Sequence, residues 1–443
     1  MKSSSTTDIV DALVSKGVLT EEEGKLISKG AQSKAKADEK ANKSRISVGS
    51  FIDNATMYGD IRARYERRDG DVLNATPSGT NLDSNRARYK ITLGVETKAG
   101  DWYSDLAFAM SDNGRSDNVS FGDNSSTPYS KSASAVYVKR AMIGWNATPW
   151  LAVEAGKMKN PLYMVNAMVF DHDIVMEGAQ EKLKYKMGDT NLFANFGQWI
   201  YAGKQVSSID DGNSTKYRQN MVLAFQAGAE QAFIADKLSA KAAVGYYDYT
   251  SNSGDTGSTA VYKPILGTTN MYGVNDLAIL DIPAELNYMV SSNIGVRPYA
   301  EYAYNTNGSD RKRASGVAGS NDDTAWLVGL TVGSAKDFKS FTGKKLYKND
   351  WNANLWYQSV GTYALDQNSV DSDIFDGRLN MEGTILKAQY MVEDNVALNF
   401  TGGWGSRKNN QYSSSAPKVD IGTAGLTDID NFNLYQFDVT YKF

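Results

Sequence analysis

Asn433-Leu-Tyr-Gln-Phe-Asp-Val-Thr-Tyr-Lys-Phe443 ends the sequence, and its reading with a period of two decides the fold. Tyr435, Phe437, Val439, Tyr441 and Phe443 fall on one side, and Gln436, Asp438, Thr440 and Lys442 on the other. Alternate side chains of a strand point to opposite faces, so the segment has one aromatic, apolar face and one polar face. A soluble protein would pack the aromatic face on a core. A wall strand in a membrane would turn it to lipid and keep the polar face wet. The choice depends on whether the rest of the chain repeats the pattern.

Composition narrows the answer. The chain has 443 residues, long for one ordinary soluble domain and suited to one large closed sheet. Hydrophobic residues make up 41% and mean hydropathy is −0.44, which excludes a bundle of apolar membrane helices. No apolar run reaches the roughly 18 residues a transmembrane helix needs, whereas alternating strands average out to polar. The 26 Tyr, 15 Phe and 8 Trp suit interfacial girdles, where one end of a ring is dry and the other wet. With 8 Pro against 39 Gly, the chain is built for sheet and turns. A net charge of −4 argues against nucleic acid as a partner. Absence of cysteine fits an exported protein. The start, Met1-Lys-Ser-Ser-Ser-Thr-Thr7, lacks the apolar core of an export signal, so the membrane reading requires a signal removed or replaced.

Helical patterning is confined to residues 7–42. Ile9, Val10, Leu13 and Val14 form a stripe that Gly17 stops, and Thr20-Glu-Glu-Glu23 reads as a capping box. Residues 1–45 are therefore expected to be a periplasmic helical leader, a short hairpin with a charged tether. A small oligomerising coiled coil or a helix in contact with the cell wall is the sharper alternative. From Ala55 the period becomes two. Met57, Gly59, Ile61, Ala63 and Tyr65 alternate with polar residues, as do Ala87, Tyr89, Ile91, Leu93 and Val95, then Leu106, Phe108 and Met110. Thirteen further segments, from near residue 135 to 433–443, bring the expectation to about sixteen strands. Tight turns, such as Lys98-Ala-Gly-Asp101 and Met187-Gly-Asp-Thr190, alternate with long polar loops such as 111–134 and 251–275. That rhythm predicts an all-β transmembrane barrel over 46–443, antiparallel, with short periplasmic turns and long extracellular loops.

Several segments resemble the putative-porin family of Gram-negative outer membranes. Asp11-Ala-Leu-Val-Ser-Lys-Gly-Val-Leu-Thr-Glu-Glu-Glu23 is similar to its leader, and Ala155-Gly-Lys-Met-Lys-Asn-Pro161 to the strand end entering its constriction loop. Phe170-Asp-His-Asp-Ile-Val-Met-Glu-Gly178 resembles that loop's end; Asp350-Trp351, Asp371-Ser-Asp373, Gly383 with Tyr390, and the terminal Phe443 resemble the late-strand pattern. The resemblance implies an outer-membrane, water-filled channel for passive diffusion of small hydrophilic solutes and ions. It also implies a homotrimer set in outer-membrane lipid and lipopolysaccharide, with no cofactor and no catalytic cycle.

In such a channel the decisive side chains face the lumen. Arg62, Arg64, Arg86, Arg88 and Lys90 share the polar face of two consecutive strands and form a candidate pore-lining basic ladder. Asp171, Asp173 and Glu177 on an infolded loop are the candidate acidic side of the constriction. The plainer alternative is that the arginines neutralise nearby carboxylates such as Asp60, Glu66 and Glu96 along a wide channel. His172, the sole histidine, stands between two aspartates, but adjacent residues rarely converge on one ion, so no metal site is expected there. Asp371, Asp373 and Asp376 lack the spacing of a calcium loop and read as a polar turn. A barrel hydrolase would need His172 as its base, and no nucleophile motif accompanies it. A structural or adhesive surface barrel is the alternative function.

Overall fold

The computed structural model describes residues 10, 13–14, 16, 20, 22–23, 54–71, 82–111, 116–122, 135–202, 220–235, 237–250, 277–315, 319–334, 347–366, 368–409 and 429–443. Strands β1 (Asn54–Gly70), β2 (Leu82–Ala99) and β3 (Trp102–Ser111) begin the wall, and β4 (Val119–Ser120) is a two-residue strand in the following connection. The wall continues with β5 (Ala135–Thr148), β6 (Leu151–Lys159), β7 (Val175–Met187), β8 (Thr190–Ala202) and β9 (Asn220–Ile234). Next come β10 (Leu238–Tyr249), β11 (Ala278–Met289), β12 (Ile294–Asn305) and β13 (Thr324–Ser334). The last four are β14 (Trp351–Val360), β15 (Met381–Glu393), β16 (Val396–Arg407) and β17 (Asn431–Lys442).

Every strand but β4 lies in one antiparallel wall, each paired with its neighbours in sequence order. The wall closes where β17 pairs with β1, from Asp60↔Lys442 to Asp69↔Asn433. The result is a closed sixteen-strand barrel, because β4 pairs only with the upper part of β2 and spans nothing. Closure leaves no sheet edge with unpaired backbone groups in lipid.

The faces are inverted relative to a soluble protein. On β17 the aromatic side is exposed, Phe437 at 55% and Phe443 at 51%, while Gln436, Asp438 and Thr440 on the polar side are buried. Met57, Ile61 and Tyr65 of β1 and Ile91 and Leu93 of β2 are exposed in the same way. Outward aromatic pairs sit toward both ends of the wall. Trp102 stacks on Trp145 at 5.7 Å beside the short turns, and Trp404 meets Tyr435 edge-on at 6.0 Å near the long-loop end.

Two departures from the expected rhythm stand out. The connection between β13 and β14 spans 335–350, long for the short-turn end. The segment expected as a strand over 350–363 stops at Val360: Gly361 still donates to the Thr324 carbonyl, but the chain then turns inward. At the N-terminus the capping box forms, with the Thr20 N–H and Oγ1 donating to Glu23 Oε2 at 2.9 and 2.8 Å and the Glu23 N–H returning to Thr20 Oγ1 at 3.3 Å. Val10, Leu13 and Val14 are helical; the rest of the expected leader lies outside the described residues.

Candidate functional site: a lumen crossed by two loops

The inner wall is uneven in chemistry. From β8 to β16 it presents apolar side chains, among them Trp199, Ala224, Tyr247, Ile279, Leu327, Trp356 and Ile385, on which two loops pack, interspersed with the buried Asp281, Glu285, Arg297 and Glu301. From β1 to β7 it presents the charges of Arg62, Arg64, Arg88, Lys90, Asp105, Arg140 and Glu154. The buried apolar cluster of this barrel thus lies inside the lumen, between wall and loops.

The first loop, 160–174, joins β6 to β7. At its base Gly156 and Gly178 face each other in register with φ of +118° and +145°. A Cβ on Gly178 would stand 2.2 Å from the Gln198 carbonyl oxygen, so only glycine fits this bend. Leu162, Val165, Met168, Val169 and Phe170 are buried, and the Phe170 ring meets Trp199 and Tyr247 edge-on at 6.4 and 5.3 Å. Gln226 of β9 clamps the backbone of Tyr163: its Oε1 accepts the Tyr163 N–H at 2.7 Å and its Nε2 donates to the Tyr163 carbonyl at 2.9 Å.

The second loop, 361–380, joins β14 to β15, and most of its described residues are buried. Asn305 Nδ2 donates to the Tyr363 carbonyl at 2.7 Å, and Asp322 Oδ2 accepts from the Thr362 N–H and hydroxyl at 2.7 and 2.8 Å. Phe375, Asp376 and Asn380 hold left-handed φ values of 51°, 59° and 58°, a strained set for residues other than glycine. Their neighbours hold them there. The Phe375 ring meets Phe432 at 6.5 Å, in space that a side chain on Gly405 would fill. Arg68 holds Asp376 at 2.5 Å, and Asn380 donates to the Asn409 carbonyl at 2.9 Å.

The loops touch each other. The Asp171 N–H donates to the Ser369 carbonyl at 2.6 Å, the Ser369 hydroxyl to the Val169 carbonyl at 2.8 Å, and the Ser372 N–H to Asp171 Oδ2 at 3.0 Å. Together they form a septum across the lumen.

Each residue of the basic ladder can now be placed. Arg64 forms a two-pronged pair with Asp438 at 2.7 and 2.9 Å and binds Asp373 of the second loop at 2.6 Å. Arg86 binds Glu66 at 2.6 Å. Arg88 is buried, 4.0 Å from Glu66, and donates to Ser116 Oγ at 3.0 Å. Lys90 lies between Asp117 at 3.1 Å and Asp173 at 3.2 Å, and Arg62 donates to Asn118 at 2.5 Å. These cations share the polar face of β1 and β2, and each has an oxygen partner.

The three acidic candidates separate. Asp173 reaches the cations of the β2–β5 wall, and Lys90 and Lys139 hold its carboxyl below the usual range against the opposing effect of burial. Asp171 is buried where the loops meet. Glu177 is not brought to the lumen: it lies in β7, 56% exposed on the outward face, paired with Lys157 at 2.9 Å. The sequence reading missed Arg68, Asp117, Lys139, Asp438 and Lys387. Arg68 continues the even-numbered face of Arg62 and Arg64, and Asp438 belongs to the polar side of the last strand, so both carried a signal. Asp371, read as a polar turn, binds Lys387 at 3.5 Å, while Asp373 and Asp376 are held by Arg64 and Arg68.

Where the septum meets the charged wall, His172 is exposed and Asp173, Arg62 and Lys387 keep side-chain exposures of 26%, 18% and 37%. On the short-turn side of the first loop, a cavity of about 410 Å³ is lined by Glu96, Tyr103, Asp105, Glu154, Lys159 and Lys182, among others. Exposed groups of both charge signs on a lumen wall can orient polar solutes and weight ions by sign without binding them tightly.

Fold and lumen together define an outer-membrane-type β-barrel with loops folded into its interior. Residues 67–270 match a family model described as "Putative porin", the family its landmarks resemble. No curated protein matches the chain. Among solved structures, OmpTdeltaL8, a loop L8 deletion mutant of OmpT, an outer membrane protein of Vibrio cholerae, is similar at a TM-score of 0.42 and 13% identity. That likeness covers 88% of this chain and 99% of the other.

Proposed function

We propose that the protein is a Gram-negative outer-membrane porin, a passive channel for small hydrophilic solutes and ions. One observation supports the reading: beside two loops packed on the inner wall, His172, Asp173, Lys387 and Arg62 keep solvent exposure, and a polar cavity of about 410 Å³ lies on the short-turn side of the first loop. A wall built only as a scaffold or adhesin has no need of a polar path along one side of a packed lumen. No turnover is part of the reading. The basic ladder and the acids of the first loop set the sign preference of the constriction. The protein acts as a homotrimer in lipid and lipopolysaccharide, its helical leader on the periplasmic side in contact with the cell wall.

Planar-bilayer recording of the purified protein tests this. Discrete open-channel steps, with a reversal potential set by the salt gradient, are the expected result. Their absence from correctly folded protein would remove the channel reading and leave the structural or adhesive one.

A further inference from the structure

We propose that Asp171 is the positioning residue that joins the two loops into one septum, and that its proton sets the aperture of the passage. The inference rests on the channel reading and adds a control to it. Among the described residues of the first loop, Asp171 engages the second loop twice, through its backbone N–H to the Ser369 carbonyl and its carboxylate to the Ser372 N–H. The same carboxylate accepts the Asp173 N–H at 3.0 Å, which fixes the turn carrying His172 and Asp173 into the passage. A change at this one carboxyl therefore moves both the loop junction and the side chains that edge the path.

The carboxyl is also poorly placed to be charged. Burial, then Asp371, then Asp173 push its pKa up to about 7, while the two N–H donors pull the other way. The charged and titratable groups around it are His172 and Asp173 on its own loop, Asp371 and Asp373 on the second, Lys387 on β15, and Lys90 and Lys139 on the facing wall. None of the cations pairs with Asp171 directly; Lys387 is engaged with Asp371, and Lys90 and Lys139 with Asp117 and Asp173. The sign follows from linkage. A carboxyl whose pKa is raised in the clasped state favours that state fully below its ordinary value of 3.8, and the advantage is lost as pH rises through about 7. Above neutrality an ionised Asp171 sits beside Asp371 and Asp173 and the septum loosens.

Two measurements test the proposal. In planar bilayers, single-channel conductance is expected to rise about twofold between roughly pH 5.5 and pH 8.5, with a midpoint near neutrality. Asp171→Asn carries no titratable proton and keeps one oxygen, for the Ser372 N–H, while losing the acceptor of the Asp173 N–H, so its conductance is expected not to change with pH over this range. The second measurement uses the absence of cysteine from the chain. Ala167→Cys places one thiol in the buried part of the first loop, where Ala167 is 3% exposed. Its labelling by a small cationic methanethiosulfonate, normalised to the thiolate fraction, is expected to rise about threefold over the same range, and not in the Asp171→Asn background. Open-channel steps whose pH profile is identical in wild type and Asp171→Asn would overturn the proposal and leave the channel reading intact. Labelling that is flat with pH would overturn it as well. If no steps appear, the channel reading fails, and the labelling still decides whether the clasp responds to protonation.

Discussion

Arg64 of the first wall strand and Asp438 of the last are register partners, and the guanidinium donates through Nε and Nη2 to both carboxylate oxygens at 2.7 and 2.9 Å. The pair is buried on the lumen side of the closing seam. Removing Asp438 leaves the buried Arg64 with Asp373 at 2.6 Å and the more distant Glu66 at 3.8 Å. Asp438→Ala is therefore expected to lower stability by about 1.5–3 kcal/mol, the range for losing hydrogen bonds to a charged group. Unfolding in urea from detergent micelles, followed by the gel shift between folded and unfolded forms, measures it. An unchanged midpoint would show that the seam does not depend on this pair.

Lys90 joins the acid of the first loop to the acid of the β3–β5 connection. Lys90→Gln leaves Asp173 and Asp117 to Lys139 and uncovers negative charge beside the passage. The reversal potential in a potassium chloride gradient is expected to move toward cation preference. Movement toward anions would contradict the placement of these groups on the ion path.

The Gln226 amide satisfies both backbone groups of Tyr163. Gln226→Leu keeps most of the volume and leaves a buried N–H and a buried carbonyl unpaired, at about 1–3 kcal/mol each. The loop is expected to fluctuate more, giving noisier open-channel current and greater labelling of Ala167→Cys, while the barrel stays folded. Quiet current would show that Phe170 and its aromatic neighbours hold the loop unaided.

Gly178 takes a backbone conformation that side chains avoid, against the Gln198 carbonyl. Gly178→Ala is expected to lower stability by roughly 1–3 kcal/mol through strain at this bend. The companion change Ala179→Gly, one residue on, serves as the control. Equal effects of the two on the unfolding midpoint would discount the bend as the cause.

The wall was legible because its signal is local. A period of two, written over and over, places Met57, Ile61 and Tyr65 outside and Arg62, Arg64 and Arg88 inside with no knowledge of partners. The short and long connections supplied the closed topology. The second loop was not legible, and for a physical reason. Tyr363, Leu365, Ile374 and Phe375 are buried against the inner wall in irregular backbone, so they carry no period and read as the tail of a strand followed by a polar turn. The partners of the ladder were hidden differently. Asp438 lies 374 residues from Arg64, and only closure of the sheet makes them neighbours. Glu177 misled by proximity in sequence: the chain re-enters the wall at Val175, so the acid two residues later points away from the lumen.

Arg64 and Arg68, from one side of the β1–β17 seam, hold Asp373 and Asp376 of the second loop; from the other side Phe432 meets its Phe375 and Asp438 braces Arg64. A sheet whose first and last strands have not met offers that loop half a berth. Its full anchorage then waits on zipping of the seam, so the filling of the lumen is a late event in assembly and a signature of a finished barrel. A wall with an open seam would leave its second loop unmoored, and the packed interior itself reports that the wall has closed.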